Sequence, residues 1–414
     1  MKKKISIIGG SLYGCLLAYY LNSKKYDVTI YEKSNKLLSG FNSIQIGKYK
    51  LNNGFHGFEY PRTKQLINFL QNKVDLKLRK IPNIRKLLIN REIIDYTAKF
   101  NEFPNNIKIL YKKKNLKNYK NQNFKFFFKK NFSKKIEKNS RRFTDDIEMS
   151  KHLFLPWFLP SDVKHLSKDE GHLFRSLVRN KKIIPSYYIP KNDLFETISK
   201  SFLKKFKEKK IKINLNSNVS IYKNKIIIKD KKDKYEQKIK ESKMIFCGSP
   251  IIFLNYLKPK MLFDLKKYKR NFYNVLIKIP KKNNTLPYFS ELLCLNDKIC
   301  NVNRISRAIH LEDCNNFFIQ LEVILKNIKL IDASVNKIKI ELSKIFNLKN
   351  HKIIGYKHSR VIYSPKKDWL KKAEKILKRF VTENDIQVDN RSFEPINTSK
   401  VWNLLKHNIR KYKI

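Results

Sequence analysis

Ile5-Ser-Ile-Ile8 leads directly into Gly9-Gly10-Ser11-Leu12-Tyr13-Gly14, then Cys15-Leu-Leu-Ala-Tyr-Tyr-Leu21, and after a short polar gap Asp27-Val-Thr-Ile-Tyr31 ends in Glu32. The first run is short, apolar and rich in β-branched residues, which reads as a buried strand. The run from Cys15 has helical length, and Asp27–Tyr31 reads as a second strand. Strand, glycine-rich turn, helix and strand in that order make a βαβ unit of roughly 30 residues. A tight turn of this kind lets the backbone approach a pyrophosphate, and the helix N-terminus offers it N–H groups and a partial positive charge. An acid after the second strand can accept hydrogen bonds from a ribose. Glu32, 18 residues after Gly14, stands where that acid is expected. Ser11 replaces the middle glycine of the Gly-x-Gly-x-x-Gly pattern, and its Cβ limits how closely a diphosphate can approach. A βαβ unit that binds no nucleotide is the competing reading of the same residues.

The next stretch runs Glu32-Lys33-Ser34-Asn35-Lys36-Leu37, then Ser39-Gly40-Phe41, then Asn53-Gly54-Phe55-His56-Gly57-Phe58. With the βαβ unit, it resembles the flavin-dependent amine oxidase-like superfamily, which includes phytoene desaturase-like enzymes, protoporphyrinogen oxidase-like proteins and the UDP-galactopyranose mutases. The resemblance implies FAD as cofactor. It implies that Gly9, Gly10, Ser11, Leu12 and Gly14 cradle the diphosphate, that Glu32 with Lys33 lies at the adenosine ribose, and that Gly40 and Phe41 follow on the same ligand. The usual glycine pair is replaced by Leu38-Ser39, and Asn42 stands where a basic residue is usual. Asn53, Gly54 and Phe55 correspond to the strand edge beside the flavin, with His56 as the catalytic candidate. A histidine without a role is the plain alternative, although glycines inside a strand often mark close approach of a ligand.

Farther on, Ser186-Tyr-Tyr-Ile-Pro190 leads into a helix expected over Asp193–Lys209. Strands follow at Ile211–Leu215, Val219–Tyr222, Lys225–Ile228 and Lys243–Phe246. By resemblance, the Val219 main chain meets the adenine. Asn192 stands where relatives often carry glycine before the helix, and the resemblance implies that the last helix, capped by Asn397 or Thr398, turns its N-terminus toward the cofactor. Arg85–Ile89, Glu92–Asp95, Tyr273–Ile279 and Phe317–Ile324 alternate or run apolar as strands do. The expected fold is α/β: a Rossmann-like FAD/NAD(P)-binding domain (1–60, 186–262 and 350–414) interleaved with an α+β substrate domain (61–185 and 263–349).

The whole chain has 414 residues and 42% apolar residues, enough for a large core. Lys and Arg total 91 against 35 Asp and Glu, a formal charge of +56, yet only 15 of the 91 are Arg. The abundance of Lys, Ile and Asn points to A/T-rich codons, so part of this basicity reflects base composition rather than a polyanion partner. Residues 107–143 carry 14 basic residues against Glu137 alone, with aromatic residues between them. A solvated insertion, a peripheral contact with an anionic membrane and a single-strand nucleic-acid groove are its three readings, nucleic acid being the least favoured. Five scattered cysteines form no CxxC pair, which argues against zinc or a disulfide framework and for a cytoplasmic protein, in contact at most with the inner face of the membrane. Met1–Leu21 imitates a secretory signal, but glycines break its apolar run and no cleavage site follows.

Two classes of function follow. In the first, the flavin accepts a hydride from a small-molecule, lipid-linked or nucleotide-linked sugar substrate. Its mutase-like variant, a sugar-ring isomerisation in surface polysaccharide synthesis, needs guanidinium forks on a diphosphate, and Arg175, Arg304, Arg307 and Arg360 are the candidates. The second class is a non-catalytic, polyanion- or membrane-binding protein on a decayed flavin fold. No metal site is expected.

Overall fold

The computed structural model describes residues 3–24, 26–54, 57–108, 178–182, 184–222, 225–230, 236–238, 243–248, 259–295, 299, 301–363, 367–383, 387–388 and 398–411. All but the first two residues of the basic segment 107–143 lie outside them.

The chain opens as its pattern dictates, with β1 (Lys4–Ile8), α1 (Leu12–Ser23) and β2 (Asp27–Tyr31). A hairpin of β3 (Ser43–Ile46) and β4 (Tyr49–Asn52) follows, then β5 (Phe58–Tyr60), α2 (Lys64–Lys73), β6 (Leu78–Pro82), β7 (Arg85–Ile89), β8 (Glu92–Asp95) and the single turn α3 (Asn105–Lys108). After the basic segment come β9 (Ser186–Pro190), α4 (Glu196–Glu208), β10 (Lys212–Asn214), β11 (Ser217–Tyr222), β12 (Lys225–Asp230), β13 (Glu236–Lys238), β14 (Lys243–Phe246) and α5 (Pro259–Lys266). The last third holds β15 (Lys269–Pro280), β16 (Glu291–Leu295), β17 (Val302–Arg307), β18 (Asn316–Leu325), α6 (Ile331–Phe346), β19 (Lys352–Tyr363), α7 (Lys367–Glu383), β20 (Gln387–Val388) and α8 (Thr398–Lys411).

Two sheets organise these elements. A parallel sheet in the order β10-β2-β1-β14-β20 has β1 near its middle. Ile5, Ile7 and Ile8 are accordingly buried, as the unbroken apolar run requires of a strand covered on both faces. α1, α2, α4 and α8 pack their apolar stripes into the same core, which holds Leu16, Leu66, Leu70, Phe202, Phe206 and Leu405. A mixed sheet in the order β19-β15-β18-β17-β16-β7-β8 forms the second body. Its strands alternate. Val275, Ile277, Leu292, Ile305, Leu321 and Val323 face α6 in an apolar core, while Asn274, Glu291, Arg304, Gln320 and Glu322 line the other face and are hydrogen-bonded to one another and to Asn52 and Asn53 at the end of the β3–β4 hairpin. β5, β9 and β6 form a small antiparallel sheet between the two bodies.

The fold is the expected α/β arrangement, with two boundaries moved. α2 belongs to the core of the parallel sheet rather than to a substrate domain beginning at 61, because Leu66, Ile67, Phe69 and Leu70 bury against it. β19 belongs to the mixed sheet rather than to a cofactor domain resuming at 350, because it pairs with β15 along its length. The helix expected from Asp193 starts at Glu196, since Asp193 takes a left-handed backbone (φ 63°). No helix among the described residues is long and apolar enough to cross a membrane.

Candidate functional site

The turn after β1 is built on contacts that only glycine allows. Gly9 has φ +108°, and a Cβ on Gly14 would stand 2.1 Å from the Gly9 carbonyl oxygen, so α1 can approach β1 this closely only without a side chain there. The Gly10 N–H donates to Glu32 Oε2 at 2.6 Å, and the Ser34 N–H donates to Glu32 Oε1 at 2.8 Å. The carboxylate therefore sits against the turn at the carboxyl ends of two parallel strands, and each of its oxygens keeps a lone pair for a further donor. Ser11 is the N-cap of α1: its Oγ accepts from the Gly14 N–H (3.3 Å) and donates to the Cys247 carbonyl (3.4 Å). Leu12 is buried behind it, and Leu38, at the lost glycine, is left-handed at φ 55° with its N–H on the Gly10 carbonyl. Lys33 and Gly40 are exposed, and Phe41 packs its ring 5.6 Å from that of Phe195. The Glu32 carbonyl accepts from the Ser217 N–H, which ties the start of β11 to the acid, with Val219 buried two residues on. Backbone donors at a helix N-terminus, a cradle closed to side chains and an adjacent carboxylate fit the diphosphate and ribose of a dinucleotide.

The second half of the site is a narrow cleft between the two bodies, lined among others by Asn52, Gly54, Arg79, Asp193, Phe195 and Gln320. Amides stitch its walls together. Asn52 Nδ2 donates to the Asp193 carbonyl (2.7 Å), and the Phe195 N–H donates to Asn52 Oδ1 (2.9 Å). Gln320 Nε2 donates to the Asn52 carbonyl (2.9 Å) and to Asn274 Oδ1 (2.8 Å), and Asn274 Nδ2 donates to Asn53 Oδ1 (3.1 Å). Asn53, one residue past β4, thus ties the end of the hairpin to the mixed sheet. Arg79 closes the mouth, donating through Nε and Nη2 to Asp193 Oδ1 at 2.8 and 2.5 Å.

Of the nominated arginines, Arg304 donates to Glu291 (3.0 Å) and Glu322 (2.7 Å). Arg307 forks onto Glu312 and lies between the rings of Tyr288 and Phe317. Arg360 stacks over Phe272 at 4.7 Å. Arg175, Phe55, His56 and Asn397 lie outside the described residues. Sequence reasoning passed over Glu59, Arg85, Tyr187, Glu291 and Glu322, which meet behind Gly54 and Gly57. The available signal was an acid inside a mostly apolar strand, as Glu322 is within Phe317–Leu325. Burial pushes the Glu291 carboxyl up, but Arg85, Arg304 and the Tyr187 hydroxyl more than reverse this and hold it at about 2. Burial acts likewise on Glu322, and Arg304 and Arg360 bring it below the ordinary carboxylate range.

Residues 7–72 match the family model of the NAD(P)-binding Rossmann-like domain. Among curated proteins, none matches the sequence. Solved structures match almost end to end at low identity. A reduced UDP-galactopyranose mutase is 12% identical with a TM-score of 0.67, over 99% of this chain and 94% of that one. A protein provisionally assigned as a protoporphyrinogen oxidase, from Exiguobacterium sp., is 10% identical with a TM-score of 0.64, over 100% and 99%. A variant of putrescine oxidase with redesigned cofactor binding is 11% identical with a TM-score of 0.55, over 99% and 98%. The chain thus shares the fold of these solved structures at 10–12% identity.

Proposed function

We propose that this protein binds FAD along the Gly9–Gly14 turn and works as an oxidoreductase on a small-molecule, lipid-linked or nucleotide-linked sugar substrate held in the cleft beside Gly54. The carrying observation is the Glu32 carboxylate, held by the Gly10 and Ser34 N–H groups beside a turn that tolerates no side chain at Gly14. When bound, the flavin supplies hydride acceptance. The protein's residues do the rest. The α1 N-terminus and the turn backbone bind the diphosphate, Glu32 accepts from the ribose, and the β11 main chain at Val219 borders the adenine. Ile81, Ile189 and Phe195 give the cleft an apolar strip among polar walls, which Gln320 and Asn52 fix.

The mutase variant has less support. Arg304 and Arg307 are each engaged by carboxylates, so a diphosphate would have to displace an ion pair to use either. Flavin absorbance of the purified protein and FAD titration test the reading. The Glu32→Ala variant is expected to bind FAD about 1–3 kcal/mol more weakly, the scale of a lost charge-assisted hydrogen bond. Unchanged affinity in that variant would remove Glu32 from the ribose. A colourless protein that resists reconstitution would favour the polyanion-binding alternative.

A further inference from the structure

Gly54 and Gly57 rest on the two ends of one buried chain of hydrogen bonds. A Cβ on Gly54 would stand 2.5 Å from Glu322 Oε1, and a Cβ on Gly57 would stand 2.6 Å from Tyr187 Cδ1. Between those contacts the chain is continuous. Glu322 Oε1 accepts from Arg304 Nη2 (2.7 Å), Arg304 Nη1 donates to Glu291 Oε2 (3.0 Å), and Glu291 Oε1 accepts from the Tyr187 hydroxyl (2.8 Å). Arg85 clamps the Tyr187 end, donating to Glu291, to Tyr187 and to Glu59, and Glu59 also accepts from Arg62. Arg85 and Glu291 are direct register partners across β7 and β16, and Arg304 and Glu322 are direct partners across β17 and β18. The row therefore takes its spacing from the sheet itself.

Stability alone gives no reason for this row. Glu291, Glu322 and Glu59 are 1%, 4% and 8% exposed, and burying an ion pair is often no better than burying apolar residues of similar volume. The opposite face of the same strands is made of such apolar residues. What charged, planar partners add is fixed geometry. Arg304 reaches two carboxylates with two nitrogens, which a lysine's single nitrogen does not reproduce. We infer that Tyr187, Glu291, Arg304 and Glu322 form a jig that sets the seats of Gly54 and Gly57, the two glycines that the FAD reading places beside the bound cofactor. The cofactor part rests on the FAD reading above; the jig itself does not.

The experiment uses the full chain with Arg304→Lys, Tyr187→Phe and, as control, Glu341→Gln. Glu341 is also buried and ion-paired, to Arg91, but lies on α6. Amide hydrogen exchange of peptides covering residues 51–60 is measured without FAD, alongside the urea midpoint, and FAD affinity is measured separately. In Arg304→Lys, exchange in 51–60 and the FAD dissociation constant should each rise about tenfold, as for one lost charge-assisted hydrogen bond. Tyr187→Phe, which keeps the ring under Gly57, should raise exchange there to a smaller extent, and it decides the matter if Arg304→Lys does not fold. Glu341→Gln should lower the urea midpoint and leave both local readouts within about twofold of wild type, because distant sites act independently. Wild-type exchange in both row variants, or an equal rise in Glu341→Gln, overturns the jig. Rapid local exchange in the row variants of a protein that takes up no FAD keeps the jig and removes the flavin reading.

Discussion

Leu38 and Asp193 hold left-handed backbone, φ 55° and 63°; the resemblance implies glycine at Leu38 and, one residue before Asp193, at Asn192. Such a conformation costs an L-residue about 1–2 kcal/mol, so each needs compensation. Asp193 has the Arg79 fork on its carboxylate and Asn52 on its carbonyl. Leu38 is 2% exposed in the dinucleotide core. For Leu38→Gly the two effects oppose. Relief of strain returns about 1–2 kcal/mol, but emptying a buried leucine site costs about 2–5 kcal/mol. Burial wins, and urea unfolding should show the variant destabilised by about 1–3 kcal/mol; a more stable variant would mean that strain dominates. Read as sequence, the missing glycines suggested a worn motif, because the letters do not display φ. Gly9, Gly14 and Glu32 were legible because their pattern is local. The cap made by Ser11 was not, since one of its partners is Cys247, 236 residues away.

The dinucleotide turn is braced from the far end of the chain. α8 lays Val401 and Leu405 into the core that holds α1, and Asn408 Nδ2 donates to the Tyr13 hydroxyl at 2.9 Å. Leu405 is fully buried, so Leu405→Ala should cost about 2–5 kcal/mol. FAD affinity should fall with it if α8 fixes α1; unchanged affinity at lowered stability would confine α8 to packing. β15 and β18 were readable from their apolar runs. β17 was not singled out because Asn303, Arg304 and Ser306 break its apolar count, and β16 because its apolar run, Leu292–Leu295, is only four residues long. β19 was missed because it is the sheet's edge and mostly half-exposed, which removes the alternation that marks a covered strand.

At the scale of the molecule, a charge of +56 makes the few acids matter. Glu291 and Glu322 are held below their ordinary range in the fold, Glu291 at about 2. A depressed carboxyl contributes its full stability above the unfolded value of about 4.3 and loses it as pH falls toward the folded value. The contribution of these two carboxyls should therefore be level from pH 7 to about 5 and drop between about 4.5 and 2, while His351 and His358, which burial holds below the ordinary imidazole value, begin a smaller loss as pH falls below about 6.5. Added salt should restore part of it by screening the excess positive charge. Urea midpoints across that range check this, and a level profile down to about pH 2.5 would contradict it. The same lysines bear on how copies of the molecule meet. β19 is the edge of the mixed sheet, and a long edge is a template on which a strand from another chain can pair. Two register shifts interrupt it against β15, and Lys352 and Lys357 stand exposed along it. Two such edges brought together would set like charges against each other, which disfavours polymerisation of the protein through this edge.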